Sequence, residues 1–304
     1  MSYIVKQFKL KSKIKAFKFL IDQQGYTMKD AQRLIDRKRL LVNGKVLVKK
    51  SAYIKGNIEI IEFQPNTQNN KPFFQTADFA LFDKPSGILV HPNNRNTQYS
   101  LTHEIKYLFG NKANITHRID KETSGIVIAA KHPLCERKIK MAFEERKIKK
   151  GYLALVKGKI DQTLSINEPI LKNRDFSTIK LKVYIDEKGK ASHTLINPIK
   201  YYHNTDTTLV EAIPLTGRQH QIRLHLFHVK HPIIGDPLYG ISTSIAEKYL
   251  DGTLSEKDRI IFTGAKRLML HANWIQFNYH NKYKLYSCYD FEKEINLYQK
   301  TQLL

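Results

Sequence analysis

The stretch of this chain best suited to chemistry is His117-Arg118-Ile119-Asp120, followed by Lys121-Glu122-Thr123-Ser124-Gly125 and an apolar run that ends at Ala129-Ala130-Lys131. A carboxylate beside an arginine, in a Gly- and Thr-bearing loop that opens onto a buried strand, is placed to face a cleft. Taken without any relative, Asp120 reads equally as a turn residue or a helix cap. Tyr152, alone on a strand-like run, reads more readily as core. Several other chemistries lose support: the chain has no GxxxxGK[ST], no GxGxxG after a strand, no HExxH and no GxSxG. Nucleotide hydrolysis and hydride transfer are therefore not expected. His220, His225, His228 and His231 lie close in sequence but lack a carboxylate or cysteine at ligand spacing, so no metal is expected.

The elements that must hold these residues are mostly strands. Phe79-Ala80-Leu81-Phe82, Gly125 to Ala130, Tyr152 to Val156 and Thr208 to Pro214 read as strands, and helices are sparse. The clearest helix carries Cys135, Ile139, Ala142 and Phe143 as a stripe and leads into the Tyr152 strand. Ahead of this region lies a basic module. Ile14, Phe17 and Ile21 mark a first helix ended by Gly25; Thr27 and Asp30 resemble a capping box, and Ala31, Leu34 and Ile35 form the buried stripe of a second helix. The polar face there carries Lys29, Arg33, Arg37 and Lys38. Asn43-Gly44 is a two-residue hairpin signal, and Ile54 to Phe63 reads as a strand. The Pro-, Asn- and Gln-rich stretch that follows reads as a linker. The resulting division is a module over 1–65, a linker over 66–74 and a large domain over 75–304.

A chain of 304 residues that is 41% hydrophobic can bury a sizeable core. Its 51 basic against 28 acidic residues give a net charge of +23, which makes a polyanion the default partner. Lysine enrichment of the surface by composition bias would raise the same number. Two cysteines are too few for a disulfide framework. The apolar runs are too short to span a bilayer and the N-terminus lacks a signal-peptide core, so a cytoplasmic protein with no membrane partner is expected.

HRIDKETSGIVIAAK resembles the signature of the RluA family of RNA pseudouridine synthases. FDKPSGILVHP (Phe82 to Pro92), KKGYLALVKG (Lys149 to Gly158), LTGRQHQIRLHL (Leu215 to Leu226), HPIIGDPLYG (His231 to Gly240) and RLMLHANWIQF (Arg267 to Phe277) resemble further segments of that family, in its order. LIDRKRLLVNGKVLVKKSAYIKGNIEI resembles the S4-like RNA-binding module found in a ribosomal small-subunit protein and many RNA-modifying enzymes. Two departures are visible: Ile119 stands where leucine is commoner, a swap of similar volume, and Ala191-Ser192-His193 stands where small polar residues are usual.

The resemblance implies an α+β fold with a mixed, mainly antiparallel sheet in two halves around a central cleft, plus a small α/β RNA-binding module at the N-terminus. It implies Asp120 as the catalytic carboxylate, Tyr152 as the aromatic against the target base and Arg223 as the partner of the carboxylate. Arg118 would fill the gap left by a flipped nucleotide. His117, Lys84, His91, Arg218, His220 and Gln221 would meet RNA around the site, and Lys29, Arg33, Arg37 and Lys38 would meet it from the module. No cofactor is implied. The expected substrate is RNA, large-subunit ribosomal RNA first and transfer RNA second, bound by a monomer. Two other classes share parts of this pattern: an RNA-binding assembly protein, and a glycosylase that releases the base.

Overall fold

The computed structural model describes residues 3–94, 96–172, 179 and 181–301. They form two compact units, Met1–Asn66 with Pro92–Tyr99, and Thr67–His91 with Ser100–Leu304.

In the first unit, strand Tyr3–Lys15 pairs antiparallel with strand Tyr53–Phe63, which also pairs with Leu40–Val42, itself paired to Lys45–Val46. The expected first helix starts later than its apolar spacing suggested. Ile14 lies in the strand opposite Ile54, and the helix begins at Ala16 and runs on as a wider turn over Phe19–Gln23. Phe8 and Leu10 alternate with exposed lysines at period two, a strand pattern that the density of lysines hid. The rest of the local chemistry holds. Thr27 accepts from the Asp30 amide at the start of helix Met28–Asp36, whose buried residues are Ala31, Leu34 and Ile35. Asn43 and Gly44 have φ of 50° and 75°, the left-handed pair of a type I′ turn. The Asn43 side chain accepts from the Asn57 amide at 2.8 Å, tying the hairpin to the long strand.

The second unit is built on a sheet of ten strands. One half runs Leu164–Ile166, Thr194–Tyr202, Thr207–Pro214, Lys149–Lys157 and Leu270–Tyr279, with Asn281–Tyr286 also paired to the last; the other runs Ser124–Ala130, Phe79–Lys84 and Phe74–Gln75, with Asn114–Ile115 also paired to the first. Among the described residues every pairing inside each half is antiparallel. The halves meet in a parallel pairing of only two residue pairs, His271 with Ser124 and Ala272 with Gly125. At that seam Gly125 has φ +105° and a Cβ there would lie 2.3 Å from the Ala272 carbonyl oxygen, so only glycine fits.

A hydrogen-bonded chain crosses the same seam. Ser287 donates to Asp83 at 2.6 Å, so it must accept from His271 Nε2–H at 2.8 Å, and the bare His271 Nδ1 then accepts from Ser124 at 2.9 Å. Burial, then the charge of Arg267, pushes His271 down to about 3 and keeps the ring neutral.

Ser124–Ala130 is buried along its whole length because both faces are covered. Ile126 and Ile128 pack with Cys135 and Ile139 of helix Pro133–Glu144, whereas Val127 and Ala129 pack with Leu101 and Ile105 of helix Leu101–Phe109. Four further helices, Gln221–His228, Thr243–Leu250, Glu256–Thr263 and Phe291–Thr301, exceed the sparse helical content expected. Gln221–His228 escaped notice because residues 221 to 226 are all buried, which erases the amphipathic period. Among the described residues no helix is long and apolar enough to cross a membrane.

Candidate active site

Asp120 sits on the loop that feeds the seam strand, and the loop is pinned on both sides. Upstream, the Thr116 amide and hydroxyl both donate to the Ile128 carbonyl, and His117 Nε2 accepts from the Ile128 amide at 3.1 Å. Burial, then the charge of Lys150, pushes His117 down to about 3, which keeps Nε2 free to accept. Downstream, the Lys121 carbonyl receives Lys84 Nζ at 3.0 Å and the Gly87 amide at 2.9 Å, and Ser86 donates to the Glu122 carbonyl at 2.6 Å. The Glu122 carboxylate is buried against Arg259 and the Tyr249 hydroxyl, both on the two helices that follow residue 242. Burial alone would raise the Glu122 pKa; Arg259 and its hydrogen bonds outweigh it and hold the group below the ordinary range.

Facing this loop is Arg223, 2% exposed on helix Gln221–His228. Its Nε and one terminal nitrogen fork onto Asp236 at 2.7 Å each, and the remaining nitrogen reaches Asp120 Oδ2 at 3.3 Å. Asp236 is fixed in turn by the Leu238 and Tyr239 amides at 2.8 and 3.1 Å. Burial opposes the charged form of both partners, but their mutual attraction wins: Asp236 is held below its ordinary range and Arg223 above. His220 Nε2 lies 3.8 Å from Asp120 Oδ2. Burial, then the Arg223 charge, pushes His220 down to about 4, so at neutral pH the ring is uncharged and Arg223 is the counter-charge of Asp120.

Asp120 and Arg223 line one cavity together with Tyr152, Arg118, Lys150 and Arg218. Tyr152 is nearly buried on strand Lys149–Lys157; burial, then the charge of Asp120, raises its pKa. The phenol therefore stays protonated: it offers a face and a donor, and any proton it takes requires its own to be passed on.

The structure thus brings Asp120, Tyr152, Arg223, Arg118, Arg218, His220 and Gln221 to one cavity. Two expected RNA contacts need correction. Lys84 is 1% exposed, and its three N–H bonds go to the carbonyls of Pro85, Ile88 and Lys121. Gln221 is 4% exposed; its oxygen takes Thr216 and the Arg218 amide, and its nitrogen gives to His193 and Thr194, which uses the whole amide. Both shape loops from inside. His91 is exposed, bonded to Thr102, and does not line the cavity. In the N-terminal unit Lys29, Arg33, Arg37 and Lys38 are all exposed. Asp236, Glu122, Arg259 and Lys150 were missed. Asp236 lies in the HPIIGDPLYG segment, where a lone acid in an apolar loop is a signal for a buried cation elsewhere.

A family model for RNA pseudouridylate synthase matches residues 78–228. A protein of Helicobacter pylori described as an uncharacterized RNA pseudouridine synthase is 38% identical over 92% of this chain and 93% of its own length. Ribosomal large subunit pseudouridine synthase C of Buchnera aphidicola is 38% identical over 71% of this chain and 64% of its own. The solved structure of human RNA Pseudouridylate Synthase Domain Containing 1 aligns with a TM-score of 0.57 at 21% identity, covering 78% of this chain and 98% of that one, and so shares the fold. With a cleft carboxylate held by a buried arginine and a relative matched almost end to end, the chain belongs to the RNA pseudouridine synthase family, isomerases that act on RNA.

Proposed function

We propose that this protein converts uridines of large-subunit ribosomal RNA to pseudouridine, with Asp120 engaging the ribose, Tyr152 packing on the uracil and Arg223 orienting the carboxylate. The observation that carries the reading is the 3.3 Å contact from buried Arg223 to Asp120, a carboxylate that keeps 26% side-chain exposure at the wall of the cavity. The choice of RNA is supported by the name of the Buchnera relative. Transfer RNA is the second candidate substrate, and the protein would act as a cytoplasmic monomer without a cofactor.

In this isomerisation the bond from the ribose anomeric carbon to ring nitrogen 1 breaks, a bond to ring carbon 5 forms, carbon 5 gives up a proton and nitrogen 1 gains one. Nothing is oxidised. The electron-poor sugar that appears between the two bonds is what an ionised carboxylate stabilises or traps, as in retaining glycosidases. A guanidinium that is itself forked to a second acid cannot swing away, so Asp120 is presented in one orientation. Reaching the bond requires the nucleotide to be flipped out of its stack, at a few kcal/mol that backbone contacts must offset. Exposed Arg118, with no hydrogen-bond or ion-pair partner among the described residues, would hold the vacated space. Lys29, Arg33, Arg37 and Lys38 of the N-terminal unit, an S4-like module in this reading, would follow phosphates.

The test is tritium release from transcripts labelled at uracil carbon 5. Asp120→Asn should abolish release while leaving the melting temperature and RNA affinity near wild type. Comparable release from the variant sinks the assignment.

A further inference from the structure

Lys150 is used by none of the roles above. It stands two residues before Tyr152 on the same strand, so the two side chains project from one face toward the cavity they both line. Between them Gly151 leaves room for the indole of Trp274, whose Nε1 would lie 2.1 Å from any Cβ at that position. The Lys150 ammonium lies near the Gly217 backbone and 6.0 Å from the Phe143 ring. Among the described residues it has no hydrogen-bond or ion-pair partner.

The charges around it are one-sided. His117, the titratable group it acts on, is neutral and bonded to a backbone amide. Arg118 and Arg218 line the same cavity and are cations, and His220 there is neutral. Asp120, the carboxylate of this wall, is bonded to Arg223, which it shares with Asp236, and no hydrogen bond or ion pair joins it to Lys150 among the described residues. Lys150 is thus a half-buried cation without a counter-ion, and burial alone lowers its pKa. An anion entering the cavity would supply the missing charge, and the anion that every flipped nucleotide carries is its phosphate.

Resting on the reading of this cavity as the site of uridine isomerisation, we propose that Lys150 binds a non-bridging phosphate oxygen of the RNA backbone beside the flipped nucleotide. It is a substrate-binding residue, distinct from the Asp120 and Arg223 pair and from Tyr152. Contact with the uracil carbonyls, or a stem that merely fills space, would be different roles, and they predict different behaviour.

Wild type, Lys150→Gln and Lys150→Arg are compared on whichever transcript, large-subunit ribosomal RNA or pooled transfer RNA, yields tritium release with wild type. Affinity is measured against potassium chloride concentration at pH 6.5, with melting curves for each protein. One lost phosphate contact should flatten the slope of log affinity against log salt by about 0.7 to 0.9 and weaken binding about tenfold at low salt. Lys150→Arg should keep the wild-type slope. An unchanged slope in Lys150→Gln overturns the proposal, whatever happens to turnover; so does a Lys150→Arg slope as flat as that of the glutamine variant. If wild type releases no tritium from either RNA, the functional reading itself fails and the inference falls with it. Release by wild type with equal slopes removes the inference alone.

Discussion

Asp236→Asn tests the claim that Arg223, and through it the Asp120 carboxylate, is oriented by a second acid. Arg223 and Asp236 are each 2% exposed and joined by two 2.7 Å hydrogen bonds. An asparagine at this position keeps one oxygen for the Leu238 and Tyr239 amides, but its NH2 then faces a guanidinium N–H, donor against donor. Breaking a buried ion pair from one side costs about 3–5 kcal/mol; because Asp120 remains 3.3 Å away as a partial counter-charge, the lower end applies, about 3 kcal/mol. For a unit of this size that is a fall in melting temperature of roughly 6–12 °C. Arg223 would also lose the anchor that aims it at Asp120. Loss of one charge-assisted hydrogen bond, about 1.5–3 kcal/mol, corresponds to roughly a 10- to 100-fold drop in turnover. Calorimetry and single-turnover tritium release read the two effects. A variant that melts within 2 °C of wild type, by the roughly 2–4 °C per kcal/mol expected here, and turns over within about twofold would show that Asp236 does not orient the site.

Further outcomes follow from the same geometry. Tyr152→Phe should lose between about 10²- and 10⁴-fold in turnover while binding RNA normally, as expected if the hydroxyl relays a proton; near-normal turnover would leave the ring as packing alone. Lys84→Met should be destabilised by about 2–4 kcal/mol in urea titrations because three carbonyls lose their donor, and equal stability would show that other donors can replace it. His117, His220 and His271 are pushed from 6.5 to about 3, 4 and 3. With folded values depressed, their contribution is complete above pH 6.5 and lost as pH falls toward 4 and 3, because the unfolded chain takes up the protons first. Unfolding at pH 5 should therefore absorb about three protons from these rings, and uptake of less than one would contradict their burial as neutral groups.

The sequence made the Asp120 loop and its following strand readable because a carboxylate, a glycine and a continuous apolar run fall within one short segment. Tyr152 and Arg223 became site residues only through a family resemblance: a tyrosine on a strand and an arginine in a helix buried on all sides have no local signature. Lys84 and Gln221 show the converse. Both are polar types usually found outside, yet each is fully spent inside, and only three-dimensional positions of backbone carbonyls distinguish a pinned lysine from one awaiting phosphate. Asp236 as a lone acid in an apolar loop signals a buried cation but does not say which one, since its partner lies 13 residues away on another element. The lysine-rich first strand was missed because charge obscured its alternation.

The seam between the two halves of the sheet has a consequence for how the protein is made. Asp120 arrives with one half, whereas Tyr152 and Arg223 arrive with the other, and the two strands that join them are more than a hundred residues apart in the chain. Joining segments so far apart carries a larger loop-closure cost than closing a local hairpin. A chain with one half alone would hold Asp120 without Arg223 beside it. The site is therefore whole only where that long-range pairing is made, so a variant that weakens the seam should lose the Asp120 to Arg223 contact along with the fold.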